Sequence, residues 1–306
     1  MRDVAVICGP TAAGKSAIAM ALAAQSGAML ISADSRQVYR RFDIGTAKPA
    51  RAERVAVTHR GIDVIEPTQR YSAAEWCAGA MAAFAEADRT GQPVIVVGGT
   101  GFYLRALDEP LFESPPLDSV RRAELQAELG MLPTELLRAR CESIDPARAH
   151  LGRAQLLRAL EVHALTGRAL SLWMAERARP ATVRARYLVV DPGAALRDRI
   201  AARVESMLAA GWEAEVATLA REVPIDAPAW NACGYANLHA AMLGTMSRSD
   251  AIERTVIDTR QYAKRQRTWF RHQLPADRTT SLDPAAADAM SRAAGWFESA
   301  SLSEHL

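Results

Sequence analysis

The stretch DVAVICGPTAAGKS, residues 3–16, decides the fold of this chain. It opens with a short apolar, β-branched run, residues 3–8, which predicts a buried strand. Glycines follow, and residues 15–25 are rich in alanine, which predicts a helix. Gly9–Ser16 matches the G-x-x-x-x-G-K-[ST] pattern of a phosphate loop, which must lie between a strand and a helix. The sequence therefore predicts an α/β protein that binds a phosphate compound.

Every residue of this loop is a candidate for phosphate binding. Its glycines let successive backbone N–H groups turn toward an anion, the helix N-terminus adds positive potential, and the lysine supplies a mobile cation. The final serine is placed to bind Mg²⁺, so Ser16 is the candidate metal ligand. The candidate diphosphate- or nucleotide-binding residues are Gly9, Pro10, Thr11, Ala12, Ala13, Gly14, Lys15 and Ser16.

The rest of the chain repeats the alternation of strand and helix. Near-continuous apolar strands separated by helices indicate a buried parallel sheet, so the predicted fold is an α/β, three-layer core like that of P-loop NTPases. Its further strands are predicted at 28–33, 93–97 and 187–190, and its helices at 72–89, 194–220, 235–243 and 248–272, with a polar connection after 275 and a last helix at 283–298.

Between the two parts of this core the pattern changes. Residues 114–182 contain no strand-like run, and Leu, Ala and Arg recur there at helical spacing, which predicts a helical insertion domain. The predicted core then comprises residues 1–113 and 183–306. Residues 138–158 carry five arginines and two acidic residues, a weak indication of an anionic partner.

Composition and charge indicate neither a histone-like protein nor an acidic, solvating one. Of the 306 residues 49% are hydrophobic and 24% charged, and the formal net charge is +2, so any nucleic-acid surface must be local. Scattered cysteines argue against zinc and a disulfide framework and favour a reducing compartment. No apolar segment reaches about 18 residues, so we expect no signal peptide and no membrane span. We also expect the protein to be cytoplasmic and monomeric. The cysteines are Cys8, Cys77, Cys141 and Cys233.

Two further sequences are expected to lie at the same edge of the sheet as the phosphate loop. Asp34 follows the second strand, where open α/β sheets bind ligands, and it could hold Mg²⁺, act as a general base or merely cap a turn. The sequence GGTGFY, residues 98–103, follows the next strand and offers the hydroxyl of Thr100, although its glycines could simply close a turn.

Arginines in two predicted helices need anionic partners. Arg203 falls inside an apolar stripe formed by Leu196, Ile200, Val204 and Met207, so it requires either a ligand phosphate or a structural carboxylate. The helix TRQYAKRQRTWFR, residues 259–271, contains five cations and no acid. Its cations at 260, 264, 267 and 271 share one face, which indicates either an anionic ligand or a solvated surface.

Taken together, these motifs resemble those of the tRNA dimethylallyltransferase family. The resemblance covers roughly residues 4–272 in family order, and although a phosphate loop alone is generic, the set is specific. It comprises GPTAAGKS (9–16), DSRQVY (34–39), DIGTAKP (43–49), YSAAEW (71–76), VVGGTGFY (96–103), LLRALEVHALTGR (156–168), RIAARVESMLAAGWEAEV (199–216) and TRQYAKRQRTW (259–269).

The resemblance implies a reaction and a role for each matching residue. Asp34 would be the general base for the adenine N6 proton, and Thr100 would lie beside the target adenine. Arg203 would assist the phosphate loop and Mg²⁺ in binding dimethylallyl diphosphate. The insertion would grip the tRNA anticodon stem-loop. The implied tRNA-binding residues are Asp34, Ser35, Arg36, Gln37, Thr100, Arg121, Ala154, Gln155, Leu156, Leu157, Arg158, Arg260, Lys264 and Arg267.

The sequence departs from the family pattern at two places. Asn231 stands where many relatives carry arginine, and Ala154-Gln155 stands where they carry Gln-Arg, with Arg153 as a candidate substitute.

Three other functions stay open. A small-molecule kinase or ATPase would use the same loop, but it leaves the basic helix and the insertion unexplained. An adenylate prenyltransferase acting on free AMP or ADP would not need the insertion, and an RNA-binding protein without catalysis would not need Asp34.

Overall fold

The structure is a computed structural model, and it describes residues 2–108, 117–176 and 183–301. Six strands form one sheet in the order β3-β2-β4-β1-β5-β6, and every pair is parallel. The strands are β1 (Arg2–Cys8), β2 (Met29–Ala33), β3 (His59–Arg60), β4 (Val94–Gly98), β5 (Val183–Val190) and β6 (Thr279–Leu282).

Helices connect and cover these strands. They are α1 (Lys15–Ser26), α2 (Arg51–Ala56), α3 (Ala73–Thr90), α4 (Gly101–Asp108), α5 (Ser119–Gly130), α6 (Thr134–Ile144), α7 (Arg153–Thr166), α8 (Leu170–Glu176), α9 (Leu196–Ala209), α10 (Trp212–Glu222), α11 (Tyr235–Met242), α12 (Arg248–Gln273) and α13 (Ala289–Ser301).

The sheet is buried on both faces, as a parallel sheet must be. Alternate residues of β1 point to opposite sides: Val4 and Val6 pack with α3, α4 and α10, whereas Ala5 and Ile7 pack with α1 and α13. Trp296 and Phe297 of α13 belong to the second cluster, so the last helix covers one face of the sheet. The three-layer α/β core predicted from the sequence is therefore confirmed.

The chain divides into two compact units, Met1–Asp108 with Thr182–Leu306, and Glu109–Ala181. The second unit has its own apolar core, formed by helices α5 to α8 around Leu137, Leu156 and Val162. Glu161 is buried in this unit, where it accepts hydrogen bonds from Arg158 and Gln126 and pairs with Arg122. These bonds join α5 to α7.

Three features of the core differ from the sequence prediction. Residues 194–220 do not form one helix, because Gly211 adopts a left-handed conformation (φ 96°) that ends α9 and begins α10. The polar segment after 275 contains β6, whose alternation over four residues is too short to be recognised. The last helix begins at Ala289 rather than at 283. No helix of the described residues is long and apolar enough to cross a membrane.

Candidate functional site

The phosphate loop, Asp34 and Thr100 follow strands that are neighbours in the sheet. The order β2-β4-β1 places the ends of these three strands side by side, and all three run in the same direction. Their carboxyl ends therefore meet at one edge, where ligands bind in open α/β sheets.

The conformation of the phosphate loop depends on close backbone contacts. A Cβ atom on Gly9 would lie 2.2 Å from the Val190 carbonyl oxygen, so only glycine fits against β5. Ala12 has a positive φ of 63°, and its carbonyl oxygen accepts a hydrogen bond of 2.9 Å from Nε of Arg199. Ala13 N donates to the Pro10 carbonyl oxygen at 3.2 Å. These bonds hold the loop in its curved form.

Lys15 is a buried cation, only 9% exposed. Its Nζ atom lies 3.4 Å from the Pro10 carbonyl oxygen. Burial, together with the nearby charge of Arg203, lowers the pKa of Lys15 to about 8, although the Asp34 carboxylate opposes this shift. The positive charge of Lys15 is therefore not fully balanced by groups of the protein, as expected of a residue that binds an anionic ligand.

Asp34 and Thr100 are joined through Ser35. The Asp34 carboxylate oxygen Oδ1 accepts a hydrogen bond of 2.8 Å from Arg36 N, which fixes its orientation. Thr100 Oγ1 accepts from Ser35 N at 2.9 Å and lies 3.3 Å from Ser35 Oγ, and Thr100 N donates to the Ala33 carbonyl oxygen at 3.1 Å. The loops after β2 and β4 therefore form one hydrogen-bonded unit around Asp34.

Two cavities meet at these residues. One, of about 240 Å³, is lined by polar residues, including Asp34 and Arg265, and by the apolar residues Val204, Met207 and Trp212. The other, of about 380 Å³, includes Ser16 and is lined by further residues of α1 and β2. The residues that line both are Thr11, Lys15, Asp34 and Arg203.

Arg203 supplies the second cation of the site. Burial lowers the pKa of Arg203, whereas the Asp34 carboxylate raises it. The apolar stripe that made this arginine conspicuous in the sequence is buried, as predicted: Leu196, Ile200 and Val204 are at most 3% exposed. The arginine itself faces both cavities, so its position in the stripe reflects the site and not the core.

The DIGTAKP segment, residues 43–49, is held in place by residues that are distant in the sequence. Glu215 Oε2 accepts from Ile44 N at 2.8 Å and from Asp43 N at 3.1 Å, and Glu215 Oε1 accepts from the Tyr235 hydroxyl at 2.5 Å. Lys48 donates to both Asp43 and Asp63 at 2.6 Å. The segment is thus held by contacts with α10, α11 and the loop after β3.

Gln37 connects this segment to the sheet. Its Nε2 group donates to the carbonyl oxygens of Thr46 (3.2 Å) and Ala47 (3.0 Å), and its Oε1 accepts from the Ser32 hydroxyl at 2.9 Å. Both amide hydrogens are therefore engaged within the protein. The side chain lines the second cavity, and Arg36 lines the first.

Helix α12 contributes residues that sequence reasoning did not select. Tyr262, Arg265 and Gln266 line the first cavity, and Tyr262 lies beside Thr100. Gln266 is a polar residue within the buried stripe of this helix. That position was a usable signal, equivalent to the one that singled out Arg203. The buried stripe consists of Thr255, Thr259, Ala263, Gln266 and Phe270.

The four cations predicted to share one face of α12 do not have the same surroundings. Lys264 and Arg271 are exposed, and Arg260 is half-buried. Arg267 pairs with Asp191 and also donates to the Gly193 carbonyl oxygen. Trp269, on another face of the helix, lies against Gly101 at the start of α4.

The residues predicted to bind tRNA in the helical unit are divided between surface and core. Arg121 is exposed and pairs with Glu124 at 3.1 Å. Leu156 is fully buried, so its side chain serves packing, and Leu157 packs partly against the same core. Ala154 and Gln155 are exposed in the first turn of α7, and Arg158 is bonded to Glu161 as described above.

The departures from the family pattern also have definite positions. Asn231 is exposed and lines the first cavity, in which Arg36 and Arg265 supply positive charge. Arg153 donates to the carbonyl oxygens of Leu132 at 2.6 Å and Gly130 at 2.7 Å. It therefore joins α7 to the end of α5, and its role as a substitute for the missing arginine stays a prediction.

A phosphate loop with a carboxylate and a threonine on neighbouring strands defines a P-loop-like α/β protein. A family model described as IPP transferase matches residues 37–273, and one described as isopentenyl transferase matches residues 2–69. The tRNA dimethylallyltransferase of Halorhodospira halophila is 42% identical over 301 residues, or 95% of this chain and 97% of that protein. That of Deinococcus radiodurans is 39% identical over 95% of each chain.

Solved structures agree. The tRNA isopentenylpyrophosphate transferase of Bacillus halodurans aligns over 100% of both chains with a TM-score of 0.69 and 30% identity. A eukaryotic dimethylallyltransferase acting on tRNA has a TM-score of 0.84 and 25% identity, over 100% of this chain and 81% of its own. The chain therefore belongs to the IPP transferase family, that of the tRNA dimethylallyltransferases. The family resemblance, and with it the prediction of a prenyltransferase enzyme, is confirmed.

Proposed function

We propose that this protein transfers the dimethylallyl group of dimethylallyl diphosphate to N6 of adenosine 37 in tRNA, the nucleotide 3′ of the anticodon. The observation that carries the proposal is the convergence of Lys15, Arg203 and Asp34 on the same two cavities. Two cations can bind a diphosphate, and a carboxylate beside them can accept the proton that the attacking amine must lose.

The donor is assigned to the phosphate loop and the apolar part of the first cavity. Backbone amides of the loop with Lys15 and Arg203 would bind the diphosphate. The prenyl group would lie toward Val204, Met207 and Trp212, which are apolar residues of the cavity lining. A cavity lined by both cationic and apolar side chains suits a ligand with a diphosphate and a prenyl chain.

Ser16 is the proposed protein ligand for Mg²⁺. Its hydroxyl is exposed in the first turn of α1, and it lines the same cavity as Asp34. The serine hydroxyl is a hard oxygen donor, and waters and phosphate oxygens of the donor would supply the other ligands of Mg²⁺. In the described parts of the chain no group of three or more His, Cys, Asp or Glu residues could hold a metal ion. Mg²⁺ bound with the diphosphate would supply positive charge against the leaving group.

The proposed reaction forms one bond and breaks one. The adenine N6 lone pair attacks the allylic carbon, the C–O bond to the diphosphate breaks, and its electron pair leaves with the diphosphate. Lys15 and Arg203 neutralise the charge that grows on the leaving group. Asp34 accepts the N6 proton, and Thr100, held by Ser35, lies beside the acceptor base.

The acceptor must leave its stacked loop to reach Asp34. Extruding a base requires a few kcal/mol, which contacts with the RNA backbone can offset. We propose that exposed cations of α12, including Lys264, and the surface of the helical unit that carries Arg121 and Arg158 bind the anticodon stem-loop. All residues with proposed roles come from one chain, so a monomer suffices. We propose that the reaction takes place in the cytoplasm, together with its tRNA substrate.

A direct assay tests this proposal. Purified protein is incubated with Mg²⁺, dimethylallyl diphosphate and unmodified tRNA, and the digested nucleosides are analysed by mass spectrometry. We expect one C5H8 added to a single adenosine, and none with Asp34→Ala although that variant still binds tRNA. Prenylation of free AMP or ADP in place of tRNA would support the adenylate prenyltransferase instead. ATP turnover with a small acceptor would support the kinase.

A further inference from the structure

Gln266 is a buried polar residue between two loops of the site. It lies in the middle of α12 and is 7% exposed. Its Oε1 atom accepts a hydrogen bond of 2.8 Å from Thr11 N in the phosphate loop, and its Nε2 atom donates to the Gly99 carbonyl oxygen at 2.8 Å. A single side-chain amide therefore bridges the loop after β1 and the loop after β4.

The chemistry of the two partners fixes the orientation of this amide. A backbone N–H can only donate and a carbonyl oxygen can only accept, so Oε1 must face Thr11 and Nε2 must face Gly99. Neither an acidic nor an apolar side chain of similar size can make both bonds at neutral pH. Breaking one would also leave a buried polar group without a partner.

The absence of a side chain at position 99 is required by this bridge. A Cβ atom there would lie 2.4 Å from Nε2 of Gln266 and 3.2 Å from the Gly9 carbonyl oxygen. One turn earlier on α12, Tyr262 lies beside Thr100, the residue that follows Gly99. Successive turns of α12 thus lie against the loop after β4.

The ladder between β1 and β4 ends at Cys8 and Gly98, so the loops beyond are not held together by strand pairing. In the proposed reaction one loop binds the diphosphate and the other lies beside the acceptor base. Reacting atoms must approach to roughly 3–3.5 Å, and a displacement of about 1 Å can lower the rate about 100-fold. A bridge between these loops therefore controls the distance from donor to acceptor.

We propose that Gln266 is a positioning residue that keeps the phosphate loop and the loop after β4 at the separation that the reaction requires. This proposal rests on the proposed function for its effect on the rate. Its structural part, the mechanical link between the loops, is independent of the reaction. Gln266 touches neither reacting group in the proposed mechanism, and it acts through Thr11 and Gly99.

The kinetic test uses Gln266→Met, which keeps the volume and removes both bonds. We expect kcat to fall about 10- to 100-fold, with the KM values for dimethylallyl diphosphate and tRNA changed less than about threefold. Gln266→Glu adds a signature that a packing role would not produce. A protonated carboxyl group both donates and accepts, and burial raises its pKa, so activity relative to wild type should rise as pH falls from 8 to 6.

Gln273→Met is the matched control, because Gln273 is exposed in the last turn of the same helix. It should leave kcat unchanged. Thermal unfolding of each variant separates a positioning role from a loss of fold. If folded Gln266→Met has the kcat of wild type, or if only its KM values change, the proposal is wrong.

Hydrogen exchange tests the link without relying on catalysis. Inorganic pyrophosphate with Mg²⁺ should slow exchange in both the 9–16 and the 98–103 segments of the wild type, but only in 9–16 of Gln266→Met. Protection confined to 9–16 in the wild type would overturn the inference. A wild type that shows the linked protection but leaves tRNA unmodified would instead overturn the proposed function.

Discussion

The phosphate loop and helix α12 serve the same cavity in different ways. The loop, residues 9–16, is defined by its backbone: glycine where β5 leaves no room, and a left-handed alanine held by Arg199. Helix α12 has regular geometry throughout, and its function lies in which side chains meet partners from elsewhere. Tyr262 and Gln266 face the cavity, whereas Arg267 is paired with Asp191.

The phosphate loop and α12 differ in which part of the sequence determines their role. A backbone-defined motif contains its own structural requirement, because few sequences besides glycine-rich ones form that turn. A helical face acquires its meaning only from the elements packed against it. If this comparison is correct, a change in the loop should affect binding and reaction of the donor but not binding of tRNA, and changes in α12 should differ sharply between nearby residues.

The largest expected effect is that of Lys15→Met. Methionine fills the volume of the lysine stem but lacks the charge, so we expect kcat/KM for dimethylallyl diphosphate to fall about 100- to 1,000-fold. The Kd for tRNA should stay within about threefold. Steady-state kinetics and filter binding measure the two quantities. An equal loss in both would show that the loop is not a separate donor site.

The second expected effect is a pH dependence that Lys15 imposes on donor binding. Its pKa of about 8 means that the cation is lost as pH rises through 8. In the free enzyme kcat/KM for the donor should fall, by at most about tenfold per pH unit, and Lys15→Met should lack this decline. A bound diphosphate stabilises the charged amine, so kcat should decline only at higher pH.

The contribution of Lys15 to stability should change with pH in the direction opposite to that of kcat/KM for the donor. The folded pKa of Lys15 lies below its unfolded value of 10.5, so the unfolded chain binds more protons between about pH 8 and 10.5. The contribution of Lys15 to the free energy of unfolding therefore rises with pH over that window and is least favourable below pH 8. Denaturant unfolding of wild type and Lys15→Met across this range checks the sign. Equal pH dependence in both proteins would contradict the assignment.

The fold was largely predictable because its signals are local. Apolar runs and a glycine loop predicted β1, β2 and β4, and the phosphate loop motif predicted the link from β1 to α1. The interruption at Gly211 was not recognised, because an isolated glycine in a helical pattern is often tolerated. Strand β6 has only four residues and gains its identity by pairing with β5.

The site was predictable where residues follow strands or violate a helical pattern. Asp34 and Thr100 follow β2 and β4, and Arg203 interrupts an apolar stripe. The contacts made by Gln37 and Gln266 were not predictable, because both bridge segments that only the tertiary fold brings together. The same reason explains Arg267, whose partner Asp191 lies 76 residues away in the chain.

The smallest expected effects compare Lys264 with Arg267, two cations of one motif. Lys264 is exposed, so Lys264→Met should weaken tRNA binding modestly and reduce the slope of log K against log salt by about 0.7 to 0.9. Arg267→Met should leave that slope unchanged, because its guanidinium is held by Asp191 and the Gly193 carbonyl oxygen. It should instead lower the free energy of unfolding by about 1 kcal/mol. Salt titrations and denaturant unfolding of both variants decide the matter, and a changed slope for Arg267→Met would show that tRNA displaces Asp191.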